Sequence, residues 1–230
     1  MNTQNDINIL SLVAKALTKL VLGFAMIGMI LFITAGSWAY YNAWLFILLL
    51  FIPMLCVGIY LLICKPELLS KRLNHKESRS EQKVVLLLSS IMFIGGFILA
   101  GLDYRFSWSN MPRTVIIIAS VVFLIGYLVY AEVMRENTYL SRTIEIQKEQ
   151  QLIDTGLYSI VRHPMYMATL LIYLTIPLIL GSFWSLLCFI WYPFIIAKRI
   201  EGEEQLLTAE LSGYIEYKKR VRYRLIPGIW

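Results

Sequence analysis

The sequence contains few charged residues, and this shortage argues against a soluble protein. Only 16% of its 230 residues are Asp, Glu, Lys or Arg, whereas 58% are hydrophobic. Soluble domains contain about 25% charged residues. The composition therefore indicates a protein that lies in a membrane.

The chain also lacks the patterns that accompany common metal sites. Its three cysteines, Cys56, Cys64 and Cys188, are scattered through apolar runs without metal-ligand spacing. We interpret them as small hydrophobic residues, and we expect no metal. There are only two histidines. His75 lies among charged residues and is expected at a solvated surface, which leaves His163 as the histidine of interest.

Most of the chain consists of long runs of apolar residues. Four of them have close to the ~20 residues needed to cross a bilayer. Two shorter runs follow, separated by Gly181 and Ser182, and they form either two thin spans or a hairpin that does not fully cross. We predict an all-α polytopic membrane protein with six membrane segments, the last two a short helical hairpin. The runs are residues 20–41, 44–64, 84–102, 114–131, 165–180 and 183–197.

The net charge of +6 would suit nucleic acid, but the positions of the basic residues indicate a membrane. Even numbers of spans separate the basic segments, so these face one side, and only Arg105 and Arg113 fall on the other. By the positive-inside rule both termini are then cytoplasmic. We expect membrane lipids as partners and no nucleic acid. The residues on the basic side are Lys15, Lys19, Lys65, Lys71, Arg72, Lys76, Arg79, Lys83, Arg135, Arg142, Lys148, Arg162, Lys198, Arg199, Lys218, Lys219, Arg220, Arg222 and Arg224.

The polar residues divide the chain into three regions. Residues 1–19 form a polar leader, residues 20–131 a four-span membrane region, and residues 132–230 a polar core that brackets the hairpin. The apolar cores of the first four spans hold no charged residue, and the chain has no internal repeat. Both observations argue against an ion or proton transporter. A scaffold or a carrier of neutral substrates stays open.

The stretch GLYSIVRHPMY, residues 156–166, is the first candidate site. Pro164 suits the first position of a helix, which places His163 at its cap. The free N–H groups and positive dipole of such a helix end attract an anion, and Arg162 adds a permanent charge. The alternative is an interfacial belt, in which Arg, His and Tyr anchor a helix end at the headgroups.

Two more polar clusters follow the hairpin. In AKRIEGEEQLL, residues 197–207, Arg199 and Glu203 are four apart and share a helix face. The glutamates of this cluster either form salt bridges with the basic tail or bind a cationic or hydroxyl-rich ligand. In GYIEYKKRVRYRLIP, residues 213–227, tyrosines alternate with basic residues. Interfacial anchoring is the main interpretation of that tail, and closure of a site is the minor one.

Together these stretches resemble the isoprenylcysteine carboxyl methyltransferase family, whose C-terminal core the phospholipid amine methyltransferases share. The resemblance covers most of residues 40–230 and is densest over 137–227, including the pattern R-x-x-x-E-E-x-x-L. It implies a membrane-embedded enzyme that uses S-adenosylmethionine. This chain departs from the family at Ala168, where Gly is usual, and at Leu157, where Pro is frequent. No Gly-rich fingerprint opens a helix after a strand, so the common soluble methyltransferase fold is excluded.

The resemblance implies that Arg199 would face the methyl acceptor. By their own chemistry, Glu204 or His163 would accept a proton if the acceptor were an amine. Arg162 or His163 can hold the cofactor carboxylate, and Glu203 or Glu204 its ammonium or ribose. We expect carboxyl methylation of an isoprenylcysteine-like acid at a cytoplasmic active site, with N-methylation of a phospholipid amine as the alternative. The expected cofactor-binding residues are Gln151, Leu152, Ile153, Tyr158, Arg162, His163, Pro164, Tyr166 and Glu203, and the expected catalytic residues are Arg199 and Glu204.

Overall fold

The computed structural model describes residues 9–73, 80–140, 146 and 150–230 and confirms the all-α prediction. Within these residues the chain forms helices and no strand. His75, the first eight residues of the predicted leader, and Lys76, Arg79, Arg142 and Lys148 of the basic side lie outside them. The helices are α1 (Ile9–Ala35), α2 (Tyr41–Cys64), α3 (Pro66–Leu73), α4 (Ser80–Phe106), α5 (Arg113–Glu136), α6 (Pro164–Ile179), α7 (Phe183–Phe189), α8 (Tyr192–Glu210) and α9 (Tyr214–Arg220), with a 3-10 turn at Gly156–Ser159.

Five helical stretches are long and apolar enough to cross a membrane. They are α1, α2, the Lys83–Phe106 part of α4, α5, and the run Phe183–Glu210 that contains α7 and α8. The protein is therefore an integral, multi-pass membrane protein. Helix α6 has 16 residues and is about 24 Å long, somewhat less than the ~30 Å of a hydrocarbon core. The count of six segments and the side of the termini stay predictions.

The predicted region boundaries fall inside helices. Helix α1 runs without a break from Ile9 to Ala35, so the limit of the leader at residue 19 lies within it. The limit at residue 131 likewise lies within α5. The three regions differ in composition, but the helices continue across them.

The turn between α6 and α7 reaches the loop that joins α4 and α5. Gly181 has a φ of +77°, which glycine adopts without the steric cost of a side chain. The Ser182 Oγ accepts from Ser185 N at 3.0 Å, which caps α7, and it donates to Asp103 Oδ2 at 2.5 Å. Phe183 N donates to Ser109 Oγ at 3.1 Å. The hairpin therefore extends from its polar start to the opposite end of the bundle.

Helix α6 is held most closely by α5. A Cβ on Gly126 of α5 would lie 2.8 Å from the Ile172 side chain and 3.2 Å from the Ala168 carbonyl, so only glycine allows this approach. The main apolar core includes Phe46, Phe123 and other residues of α1, α2, α4, α5, α6 and α8. This packing fixes where the N-terminus of α6 lies.

Several described basic residues form contacts at the end of the bundle where α6 begins. Lys65 Nζ donates to the carbonyl of Met134 at 3.3 Å. Arg72 donates to the Tyr130 hydroxyl and contacts Met165 Sδ at 3.9 Å. Arg105 lies at the opposite end, beside Gly36. The charge asymmetry read from the sequence is thus a real asymmetry between the two ends of the bundle.

Candidate functional site

A polar pocket lies at the basic end of the bundle, where α6 begins and α8 ends. Its walls come from the end of α5, the segment 150–153, the turn that carries residues 162–164, α8 and α9. Residues 162–164 have the sequence Arg-His-Pro and are called the RHP motif below. Its free volume is about 80 Å³. The lining residues are Asn137, Leu140, Gln150, Gln151, Leu152, Ile153, Tyr158, Arg162, His163, Met165, Tyr166, Glu203, Leu207, Leu211, Tyr214 and Tyr217.

The RHP motif is fixed by the C-terminal tail. His163 is the N-cap residue of α6 and Pro164 is its first residue, as the sequence predicts. Arg162 N donates to the Tyr223 carbonyl at 3.0 Å, and His163 N donates to the Arg224 carbonyl at 2.9 Å. The tail therefore orders the segment from which both side chains extend, so the structure places the tail at the site.

Glu204 is the centre of a buried cluster of charges. The side chain is 3% exposed, and Oε1 accepts from Arg162 Nε at 2.6 Å and lies 3.3 Å from His163 Nε2. Its Oε2 lies 3.1 Å from Arg224 Nε and 3.6 Å from Lys218 Nζ. Arg162 also donates to the carbonyls of the tail residues 221 and 222. Glu204 thus joins the RHP motif, α8 and the tail in one network.

Glu203, the preceding residue, has different neighbours. It lines the pocket, and its Oε2 accepts from the Tyr166 hydroxyl at 2.5 Å. The same hydroxyl accepts from Arg199 Nε at 3.0 Å. Arg199 and Glu203 therefore act on one tyrosine, in agreement with their predicted shared helix face. The chain Arg199–Tyr166–Glu203 links a permanent cation to the pocket.

Two further tyrosines form the frame of the pocket. Tyr217 Oη donates to the Tyr158 carbonyl at 2.7 Å, and the Tyr158 hydroxyl accepts from Asn137 Nδ2 at 2.9 Å. Burial raises the pKa of the Tyr158 phenol, and burial likewise raises the pKa of the Tyr217 phenol. Both hydroxyls therefore stay protonated at neutral pH, and the Tyr217 hydroxyl can donate to the Tyr158 carbonyl.

Tyr214 is a pocket residue that sequence reasoning missed. The tail motif pointed to membrane anchoring, yet Tyr214 is 3% exposed and lines the pocket. Its hydroxyl is buried and has no hydrogen-bond partner within the part of the chain that the structure describes. The signal available in the sequence was the spacing of Tyr214 and Tyr217, three apart on one face of a short helix.

The structure brings together most of the residues expected at the cofactor. Eight of them line the pocket, whereas Pro164 does not and is buried as the first residue of α6. Of the two residues expected to be catalytic, Arg199 reaches the pocket through Tyr166, and Glu204 lies behind its wall. The eight are Gln151, Leu152, Ile153, Tyr158, Arg162, His163, Tyr166 and Glu203.

Residues 114–212 match the family model of phospholipid methyltransferases. The matched stretch runs from α5 through the RHP motif and the hairpin to the end of α8, so it contains much of the pocket. The match supports a membrane methyltransferase, whose usual methyl donor is S-adenosylmethionine. No curated protein matches the chain.

The chemical character of the pocket fits S-adenosylmethionine. Glu203 offers a carboxylate for an ammonium or a ribose hydroxyl, and the unpaired Tyr214 hydroxyl offers a buried donor. Leucine and isoleucine side chains supply apolar surface. The free volume of about 80 Å³ is below the roughly 300–1,000 Å³ of typical small-molecule pockets. S-adenosylmethionine would therefore fit this pocket only with the side chains of its wall moved apart. Among the described residues, no group of His, Cys, Asp and Glu could hold a metal.

Proposed function

We propose that the protein methylates the carboxylate of a lipophilic acceptor, such as an isoprenylcysteine, with S-adenosylmethionine as the donor. The observation that carries this proposal is the contact of Arg199 Nε with Tyr166 Oη at 3.0 Å. This hydrogen bond holds the permanent positive charge of Arg199 beside a tyrosine of the pocket. A guanidinium suits a carboxylate because it presents a planar fork of donors.

The residues of the pocket would hold the donor by its charges. The cofactor supplies a methyl group that its sulfonium already activates, so alignment is the main task of the protein. Glu203 would accept from the ammonium or ribose. The excess of cations around Glu204 would favour the carboxylate. The rings of Tyr158 and Tyr166 would attract a sulfonium by about 0.5–2 kcal/mol.

A carboxylate acceptor needs no base. Its pKa is near ~4, so it is ionised at neutral pH. Glu204 is expected from the sequence to accept a proton, but both its oxygens already lie within 3.6 Å of basic side chains. Its geometry favours a different role, namely to position His163 and Arg162. This supports a reaction without a dedicated base.

The second candidate is N-methylation of a phospholipid amine. It is favoured by the hydrogen bond between Tyr166 Oη and Glu203 Oε2 at 2.5 Å, since this pair could take a proton at the pocket wall. The description of the matching family model agrees with it. An amine must lose its proton before or during methyl transfer, so that reaction would require such a base.

One labelling experiment separates the candidates. Purified protein in lipid is given S-adenosylmethionine labelled in the methyl group, with farnesylcysteine analogues and a lipid extract in parallel. The products are then treated with mild base. Release of labelled methanol supports a carboxyl ester, and label that stays on lipid through base supports N-methylation. A scaffold or a carrier of neutral substrates predicts no label transfer and no binding of S-adenosylmethionine.

A further inference from the structure

The hydroxyl of Tyr214 is the most unusual polar group of the pocket. The side chain is 3% exposed and lines the pocket, and its oxygen has no hydrogen-bond partner among residues 9–73, 80–140, 146 and 150–230. Buried side-chain polar atoms nearly always have a partner, because an unpaired one loses its hydrogen bonds to water without replacement. The orphan hydroxyl therefore requires an explanation.

Packing does not explain why position 214 has a tyrosine. Tyr214, Tyr217 and Val221 form a small apolar cluster, against which Leu152 and Leu207 pack. A phenylalanine would fill the same space and bury no unpaired oxygen. In the same cluster, Tyr217 uses its hydroxyl to hold the Tyr158 carbonyl at 2.7 Å. The two tyrosines thus differ in one respect, since of the two hydroxyls only that of Tyr217 has a partner among the described residues.

The charges around Tyr214 indicate what kind of atom it could bind. Arg162 and Glu203 line the same pocket. Behind the wall, Arg162, Arg224 and Lys218 surround the single carboxylate of Glu204, so cations are in excess. Burial and the nearby carboxylates raise the pKa of the Tyr214 phenol. The hydroxyl therefore keeps its proton and can donate a hydrogen bond to an anion.

We propose that Tyr214 is a binding residue for the methyl donor, and that its hydroxyl donates a hydrogen bond to the carboxylate of the amino-acid part. This inference rests on the proposed use of S-adenosylmethionine. It assigns a ligand contact to the C-terminal tail, which otherwise only supports the pocket. It also gives the buried hydroxyl its missing partner in the bound state.

The test compares Tyr214→Phe with the wild type in detergent, in two measurements. The first is the melting temperature without ligand. The second is the affinity for S-adenosylhomocysteine and for methylthioadenosine, which lacks the amino-acid part. We expect Tyr214→Phe to melt at the same or a higher temperature, because it removes an unpaired hydroxyl. We expect about ten-fold weaker binding of S-adenosylhomocysteine and unchanged binding of methylthioadenosine.

Tyr217→Phe is the matched structural variant. It removes the hydrogen bond to the Tyr158 carbonyl, so its melting temperature without ligand should fall. A lower melting temperature for Tyr217→Phe than for the wild type would show that the assay detects the loss of a hydroxyl that has a hydrogen-bond partner.

The possible results have distinct meanings. A fall in the melting temperature of ligand-free Tyr214→Phe would overturn the inference, because the hydroxyl would then have a partner in the protein. Unchanged affinity for S-adenosylhomocysteine would overturn it as well, and equal losses for both ligands would overturn the assignment to the carboxylate. If the wild type binds none of these nucleosides, the proposed function itself fails, and that result does not depend on Tyr214.

Discussion

Glu203 and Glu204 are neighbours in sequence but lie in different surroundings. Successive residues of an α-helix point about 100° apart, so one turns to the pocket and the other to the tail. Glu203 accepts from a pocket tyrosine, whereas Glu204 is 3% exposed and lies among Arg162, Arg224 and Lys218. Two glutamates that are adjacent in sequence therefore have different roles, because the helix directs their side chains to different sides.

A matched pair of substitutions should separate these two roles. Glu203→Gln should weaken binding of S-adenosylmethionine and leave the free energy of unfolding nearly unchanged, because the residue is only partly buried. Glu204→Gln should lower that free energy by about 3–5 kcal/mol, since it leaves the buried guanidinium of Arg162 without its carboxylate. Binding titrations and thermal unfolding in detergent measure the two effects.

Glu201→Gln serves as the control for this pair, because Glu201 is exposed on the same helix and surface changes usually stay within about 0.5 kcal/mol. Unchanged affinity in Glu203→Gln would remove Glu203 from the site. An unaltered melting temperature in Glu204→Gln would contradict the network.

Arg199 is expected to act on the acceptor rather than on the donor. Arg199→Ala should therefore reduce turnover much more than it reduces the affinity for S-adenosylmethionine. Arg199→Lys keeps the charge but loses the planar fork of donors, so it should recover only part of the turnover. Single-turnover rates and donor titrations on the same preparations provide the comparison. Equal losses of turnover and donor affinity would refute the assignment.

Among the helices, the turn between α6 and α7 is held by a hydrogen-bonded cluster. Asp103 is 2% exposed, and its carboxylate accepts from Ser109 N at 2.7 Å, from Ser109 Oγ at 2.6 Å and from Ser182 Oγ. The cluster connects α4, the following loop and the hairpin. It lies at the opposite end from the pocket, so we infer that it holds the turn of the hairpin in place.

Ser182→Ala should test this inference. The change removes both the cap of α7 and the hydrogen bond to Asp103, and we expect it to lower the free energy of unfolding by about 1–2 kcal/mol. The matched control is Ser90→Ala, because Ser90 is exposed and its hydroxyl bonds to the Leu86 carbonyl of its own helix. If both variants melt at the same temperature, the turn does not depend on this cluster.

The C-terminal tail is an element whose role changes between sequence and structure. Its alternating tyrosines and basic residues are typical of interfacial anchoring, the main interpretation above. In the fold, Tyr223 and Arg224 hold the backbone of the RHP motif, and Lys218 pairs with Glu204. The two backbone contacts join residues some 60 positions apart, and no local pattern could reveal them.

For the molecule as a whole, the main asymmetry is between its two ends. The end with the pocket carries Lys65 and Arg72 with their partners, and the other end has Arg105 and Arg113. The positive-inside rule predicts that the pocket end is cytoplasmic. A cytoplasmic pocket would receive the soluble donor from water and a greasy acceptor from the bilayer.

Cysteine labelling can determine the orientation. Cys56, Cys64 and Cys188 are first replaced by alanine, and a single cysteine is introduced at Asn110 or Glu216, both exposed and at opposite ends. A maleimide that does not cross membranes should label Asn110→Cys in intact cells, and Glu216→Cys only after the membrane is opened. The reverse pattern would place the pocket outside.

Much of the local structure could be predicted because its causes are local. Pro66 begins a short helix with Glu67 in its first turn, and Gly181 with Ser182 separates the halves of the hairpin. His163 and Pro164 fall at the cap and first position of α6. Each depends on the φ preference or hydrogen-bonding capacity of one or two residues.

The sequence by itself determined the helices, the membrane environment and most of the expected residues that gather at the pocket, because apolar length, helix period and terminal residues act over a few positions. The tertiary structure decided that Glu204 lies in a buried ion cluster, that Arg199 contacts Tyr166, and that the Tyr214 hydroxyl at the pocket has no partner among the described residues. These features depend on which side chains meet after distant segments pack together. Contacts of this kind depend on the whole fold and produce no periodic pattern in the sequence.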